Sequence, residues 1–115
     1  MKTIIAGSRN ITNYQLLEKS IKDSDFEITE VICGGARGVD NLGKKWAIEN
    51  QIPVKMFPAQ WNKFGKSAGY KRNIEMAEYG ESLIALWDGI SFGTKHMIDI
   101  AIEKGLNVYI HKVEE

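Results

Sequence analysis

The sequence predicts an α/β fold, a five-stranded parallel sheet with helices on both faces. Three observations carry that expectation. Short runs rich in Ile and Val alternate with segments of helical period, and the runs lack the in/out alternation of half-exposed strands. Turn glycines stand where a run gives way to a helix. At 115 residues, without repeat, low-complexity tract or linker, the chain reads as one domain over residues 1–115.

The expected strands are Thr3–Ala6, Glu30–Cys33, Val54–Phe57, Leu83–Trp87 and Val108–Ile110. A first helix opens at the possible capping box Thr12-Asn13-Tyr14-Gln15, with Thr12 as N-cap, and runs to about Lys22. Val39, Leu42, Gly43, Trp46 and Ala47 form the apolar stripe of a second helix. Ser67 is the expected cap of a third, from Ala68 to about Tyr79, closed by Gly80. A fourth runs from about Thr94 to Lys104 and stops at Gly105. The order β-α-β-α-β-α-β-α-β implies right-handed crossovers, and strand order 3-2-1-4-5 is the expectation for such a Rossmann-like domain. Ligands of such sheets sit beyond the carboxyl ends of the strands, where the strand order reverses.

Composition narrows the function. With 43% hydrophobic and 26% charged residues the chain falls in the ordinary globular class. Lys+Arg and Asp+Glu balance at 15 each, which argues against a general nucleic-acid binder. The lone Cys33 cannot form an intramolecular disulfide, and no Cys/His cluster has zinc spacing, so neither metal nor cofactor is expected. The apolar start Met1–Ala6 stops at Gly7-Ser8-Arg9, too short for a signal sequence or a membrane span, and a cytoplasmic location is expected.

Six of the eleven glycines lie in three turns at strand ends. The first strand ends in Gly7-Ser8-Arg9. The second ends in Gly34-Gly35-Ala36-Arg37-Gly38-Val39-Asp40, and the fourth in Trp87-Asp88-Gly89-Ile90-Ser91-Phe92-Gly93-Thr94. Glycine lets an anion approach the backbone, and a helix N-terminus offers it unpaired N–H groups and partial positive charge. Three such turns on one edge, with hydroxyls and Arg, point to an anionic ligand rather than to mere tight turns. The glycine spacing at 34–38 is not the G-x-G-x-x-G fingerprint, because positions 36 and 39 are Ala and Val. Gly65-Lys66-Ser67 lacks the Walker A glycine, Gln60 standing in its place.

Lys63, Lys66, Lys71 and Arg72 make a local basic stretch with no acid between Pro58 and Ile74. The lysines fit a solvated loop. Arg72 is the stronger functional candidate, because a cation in the first turn of a helix opposes its dipole unless an anion, or Asp40 or Asp88, lies near. Trp61 and Phe64 fit packing over the sheet edge, with base stacking as the sharper alternative for Trp61. Trp46 and Cys33 read as core, His96 and His111 as surface or packing residues. Asp40 suits the start of a helix, with a ribose-hydroxyl role as its alternative.

Together Gly7-Ser8-Arg9, Gly34–Asp40, Ala68–Asn73 with Met76, and Trp87–Thr94 resemble the SLOG superfamily, in its small YspA-like, YpsA-related branch. The resemblance implies a Rossmann-like domain that binds a nucleotide or nucleotide-derived ligand, ADP-ribose-like or a cyclic signal. Relatives in that superfamily include Lonely Guy phosphoribohydrolases, DNA-processing protein A and ligand sensors. Arg72-Asn73-Ile74-Glu75-Met76 looks like the first half of the phosphoribohydrolase centre. The second half departs, since Gly93-Thr94 is followed by Lys95, His96 and Met97, with no Glu.

The expected function is therefore ligand binding, as a sensor or sequestering module, without a catalytic assignment. Amides of Gly34–Gly38 and Ser91–Thr94 with the Thr94 hydroxyl would hold phosphate, and Arg9, Arg37 and Arg72 would supply charge. Asp40 or Asp88 would take ribose hydroxyls. Gly7, Ser8, Asn73 and Gly89 complete the expected ligand-binding set, with Trp61 over the base. The enzyme alternative is an N-glycosidic hydrolase using Arg72 with Asp40 or Asp88. Single-stranded DNA binding fits poorly with three arginines and neutral charge. The partner expected is a nucleotide-derived small molecule, with self-association as a dimer or larger assembly and no membrane; nucleic acid is disfavoured, with single-stranded DNA binding as the weaker alternative.

Overall fold

The computed structural model describes residues 1–113, so the last two positions of the expected 1–115 domain lie outside the described residues. Five parallel strands, β1 (Lys2–Gly7), β2 (Glu30–Cys33), β3 (Val54–Met56), β4 (Ser82–Trp87) and β5 (Asn107–Lys112), form one sheet in the order β3-β2-β1-β4-β5. The expected order 3-2-1-4-5 is the order found. Helices α1 (Tyr14–Ser24), α2 (Val39–Glu49), α3 (Trp61–Phe64), α4 (Ala68–Tyr79) and α5 (Phe92–Glu103) connect the strands.

Alternate side chains of the central strands feed two cores. Ile4 and Ala6 of β1 with Leu83 and Ala85 of β4 meet Met76 and Ala77 of α4 and Met97, Ile98 and Ala101 of α5. On the opposite face Ile5, Ile84 and Leu86 meet Leu17 and Ile21 of α1 and Val39 and Ala47 of α2. Both faces are apolar, hence the continuous Ile/Val runs in the sequence. Full burial of each Ile or Leu contributes roughly 1.5–3 kcal/mol. The polar exceptions Thr3 and Ser82 stand side by side in the β1–β4 register, their hydroxyls bonded to each other at 2.8 Å.

Four local expectations need correction. Asn13, not Thr12, caps α1, its side chain accepting from the Leu16 amide at 3.1 Å. Ser67 stands at the N-cap of α4, but its hydroxyl makes no cap bond and instead donates back to the Phe64 carbonyl at the end of a 3₁₀ turn over Gly65–Ser67. That turn and α3 occupy a stretch expected to be loop, and neither buries a residue, so no apolar period marks them. Helix α5 starts at Phe92, two residues before Thr94, because Ser91 is its N-cap.

The chain leaves β1 toward β2 and β3, then returns to pair β4 on the other side of β1. The loops after β1 and β4 therefore part at the carboxyl end of the sheet, and a crevice opens between them.

Candidate functional site

A cleft of about 470 Å³ occupies that crevice. Of the expected site residues, Gly7, Ser8, Arg9, Ala36, Asp40, Trp61, Arg72, Asn73, Asp88, Ser91, Gly93 and Thr94 line it. Gly34, Gly35, Arg37, Gly38 and Gly89 do not. Ala6, Asn10, Lys66, Gly69, Tyr70, Met76 and Met97 complete the wall. Helical spacing could have found several of these. Gly69 and Met76 stand three or four residues either side of Arg72 and Asn73, and Met97 stands four after Gly93.

Arg72 is half-buried in the fifth position of α4, past the first turn. Its Nη1 donates to the Gly34 carbonyl at 2.8 Å and to the Phe57 carbonyl at 3.5 Å, and its Nε donates to Asn73 Oδ1 at 3.2 Å. Gly34 makes this seat possible, because a side chain there would stand in the space of the guanidinium. Among the described residues the ion pairs within 4.0 Å are Lys19–Asp23 and Lys95–Asp99, so no carboxylate neutralises Arg72 at contact distance. Burial pushes the Arg72 pKa down, with the nearby Asp40 charge opposing that shift.

Asp40 in the first turn of α2 is 6% exposed, and its Oδ2 accepts from the Ala36 amide at 3.0 Å. Burial raises its pKa above the ordinary carboxylate value, against the pull of that hydrogen bond and of Arg72. The folded state then loses stability as pH rises from the ordinary carboxylate range through the raised value, and the deficit persists at neutral pH. Asp40→Asn keeps an acceptor for Ala36 and removes the desolvated charge. It is expected to raise the thermal midpoint near neutral pH by a few degrees in calorimetry. A lower midpoint would show that the attraction of Arg72 outweighs desolvation.

Asp88 behaves differently. Its Oδ1 accepts from the amides of Ile90 and Ser91, both at 2.8 Å, and these bonds hold its pKa below the ordinary value. The β4–α5 turn is further pinned by Trp87 Nε1 on the Ser91 carbonyl at 3.0 Å and by the Asp88 amide on Ser8 Oγ at 3.1 Å. The Ser91 amide, expected to meet phosphate, is thus already engaged, as is that of Ala36. The amides of Phe92 and Gly93, first and second in α5, remain beside the buried Thr94.

The basic stretch divides. Lys63 and Lys71 lie over the Phe64 ring, at 5.1 and 4.8 Å, while Lys66 lines the cleft. Trp61 is 51% exposed and its indole lies over Gly69. Cys33 is core, its thiol pushed up to about 11 by burial. Among the described residues no cluster of His, Cys, Asp and Glu could hold a metal, and no helix is long and apolar enough to cross a membrane.

A family model described as YspA, cpYpsA-related SLOG family matches residues 1–64, which carry the first two strand-end turns. The chain belongs to this SLOG family. It is similar to the Gene 61 protein of Mycobacterium phage D29, 32% identical over 117 residues that cover 93% of each chain. Among solved structures the fold is similar to that of DNA processing protein A from Streptococcus pneumoniae, with a TM-score of 0.73 at 18% identity. That likeness covers 95% of this SLOG chain and 49% of the pneumococcal one, so this chain spans about half of its length.

Proposed function

We propose that the cleft binds a nucleotide or nucleotide-derived anion, ADP-ribose-like or a cyclic nucleotide signal, and that the protein acts as a sensor or sequestering module. The observation that carries this reading is the seat of Arg72. A half-buried guanidinium is held by neutral acceptors, has no carboxylate at contact distance among the described residues and lines a cleft that the start of α5 also lines. A bound anion supplies the missing countercharge. Arg9 and Lys66 add cations at the rim, Phe92 and Gly93 offer amides, and Thr94 offers its hydroxyl. Asp40, or the second oxygen of Asp88, accepts a ribose hydroxyl, and Trp61 and Tyr70 flank the base. A helix N-terminus contributes about 0.3–1 kcal/mol and each charge-assisted hydrogen bond about 1.5–3 kcal/mol. Micromolar affinity, near −8 kcal/mol, therefore takes several of these groups together.

Two measurements test the proposal. Mass spectrometry of the denatured protein extract is expected to release a nucleotide-type anion, and calorimetry with ADP-ribose to give binding in the micromolar range. No binding of ADP-ribose, nucleoside phosphates or cyclic dinucleotides at millimolar concentration would end it. The second reading, an N-glycosidic hydrolase, is favoured by Asp40, a buried carboxyl of raised pKa beside the same cleft. Chromatography of ADP-ribose after long incubation separates the two: intact ligand supports binding alone, and free adenine with the base-free diribosyl diphosphate supports N-glycosidic turnover.

A further inference from the structure

Asn73 is 6% exposed, and two of its contacts fix which way its amide faces. Arg72 Nε can only donate, so the atom facing it at 3.2 Å is Oδ1; the Gly93 carbonyl can only accept, so the atom facing it at 3.2 Å is Nδ2. The same Nδ2 lies 3.2 Å from His96 Nδ1. Both of its protons are then assigned, one to Gly93 and one to His96, and Nδ1 must be an unprotonated acceptor. A proton on Nδ1 would set two donors against each other. The amide cannot turn over to relieve this without facing Arg72 Nε with its own NH₂.

We propose that His96 is a positioning residue: as a neutral imidazole it locks Asn73, and through Asn73 it aims the Arg72 guanidinium and the start of α5 at one ligand. The inference rests on the reading of Arg72 as an anion-binding group. The Tyr70 ring from α4 packs edge-on against His96 at 4.7 Å between centroids and keeps the imidazole from rotating away. The charged groups near the ring are Lys95 and Asp99 on α5 itself, paired with each other at 2.7 Å, and Arg72 beyond Asn73. From the strands, the core against α4 and α5 receives Ile4, Ala6, Ile32, Leu83, Ala85, Trp87 and Val108, none of which titrates. Burial lowers the His96 pKa, which favours the neutral form. His96 does not line the cleft, so it acts on the ligand through Asn73 and Arg72 rather than by contact.

The test begins without ligand. Long-range ¹H–¹⁵N spectra of the wild-type protein are expected to show the Nε2–H tautomer at His96. The side-chain signals of Asn73 Nδ2 and Arg72 Nε should then titrate with the His96 midpoint, and should stop titrating in His96→Gln, whose amide oxygen can replace the acceptor. ADP-ribose is the binding probe, because its pyrophosphate diester keeps its charge between about pH 5 and 8, where histidine titrates. Wild-type affinity should fall on the acid side of the same midpoint. His96→Gln should bind within about twofold of wild type with no inflection at the wild-type His96 midpoint, and His96→Leu about fivefold more weakly, the loss of one net hydrogen bond. An Nδ1–H tautomer, or Asn73 and Arg72 signals indifferent to the His96 titration, would overturn the assignment. If ADP-ribose binds no variant, the reading of the cleft fails, while the ligand-free spectra still decide the role of His96.

Discussion

Arg72→Ala is expected to weaken ADP-ribose binding by about 100-fold or more, because the variant loses a pair of charge-assisted hydrogen bonds of about 1.5–3 kcal/mol each. Arg72→Lys should recover only part of this. A lysine ammonium cannot donate to Gly34 and Asn73 and still present a second donor to the ligand in the plane that a guanidinium offers. Gly34→Ala separates charge from placement. The added methyl would occupy the guanidinium site, and the group that must move is the far end of a flexible side chain, so the fold should survive. Binding by Gly34→Ala should therefore fall toward the Arg72→Ala level while the thermal midpoint changes little. Calorimetric titration and a melting curve on the three variants check this. Wild-type affinity in Arg72→Ala would place the anion elsewhere.

Gly38→Ala is expected to cost about 3 kcal/mol of stability, which for a domain of this size lowers the midpoint by roughly 10–20 °C. Gly38 leads into α2 at φ +74° and ψ −125°, a conformation that residues with a Cβ rarely adopt. A methyl there would lie 2.5 Å from the Arg9 carbonyl oxygen and 2.6 Å from that of Ser8. Both obstacles are backbone, so relief requires moving the β1 turn that carries Ser8 into the cleft. Gly35→Ala is the internal control. Its φ of +78° is equally unusual, but its methyl would meet the mobile end of Met56, so a cost nearer 1 kcal/mol is expected. Urea unfolding of both variants measures the difference. Equal losses would mean that the close approach of the Gly38 turn to β1 carries no energy of its own.

The fold class was legible because the strand runs are apolar on both faces, as a covered parallel sheet requires; the strand order did not follow from that pattern and came from the usual arrangement of Rossmann-like domains. The sequence singles out Arg72 as a cation in the first turn of a helix, but it stands in the fifth position of α4, past that turn, and what sets it apart is its half-buried seat on neutral acceptors. The paths of the turns were not legible. Arg37 and Gly89 lie outside the cleft although they share turns with Ala36 and Asp88, which line it. Their glycine content follows from chain reversal and close strand approach as much as from a ligand. Asp88 looked like a ligand group but spends one oxygen on its own turn, a bond that spacing alone did not reveal. His96 passed for a surface or packing residue because its partner Asn73 lies 23 positions away, on another helix. Helix α3 escaped for a simpler reason: it buries nothing.

The absence of a side chain at Gly34 has a consequence for how the sequence can vary. Positions 34 and 72 compete for one volume, so neither can change freely while the other keeps its present residue. A methyl at 34 that is damaging beside arginine becomes harmless once 72 is alanine, and the double variant should lose less than the two single losses combined. Two motifs 38 residues apart therefore behave as one heritable unit, and drift at either is confined by the occupant of the other.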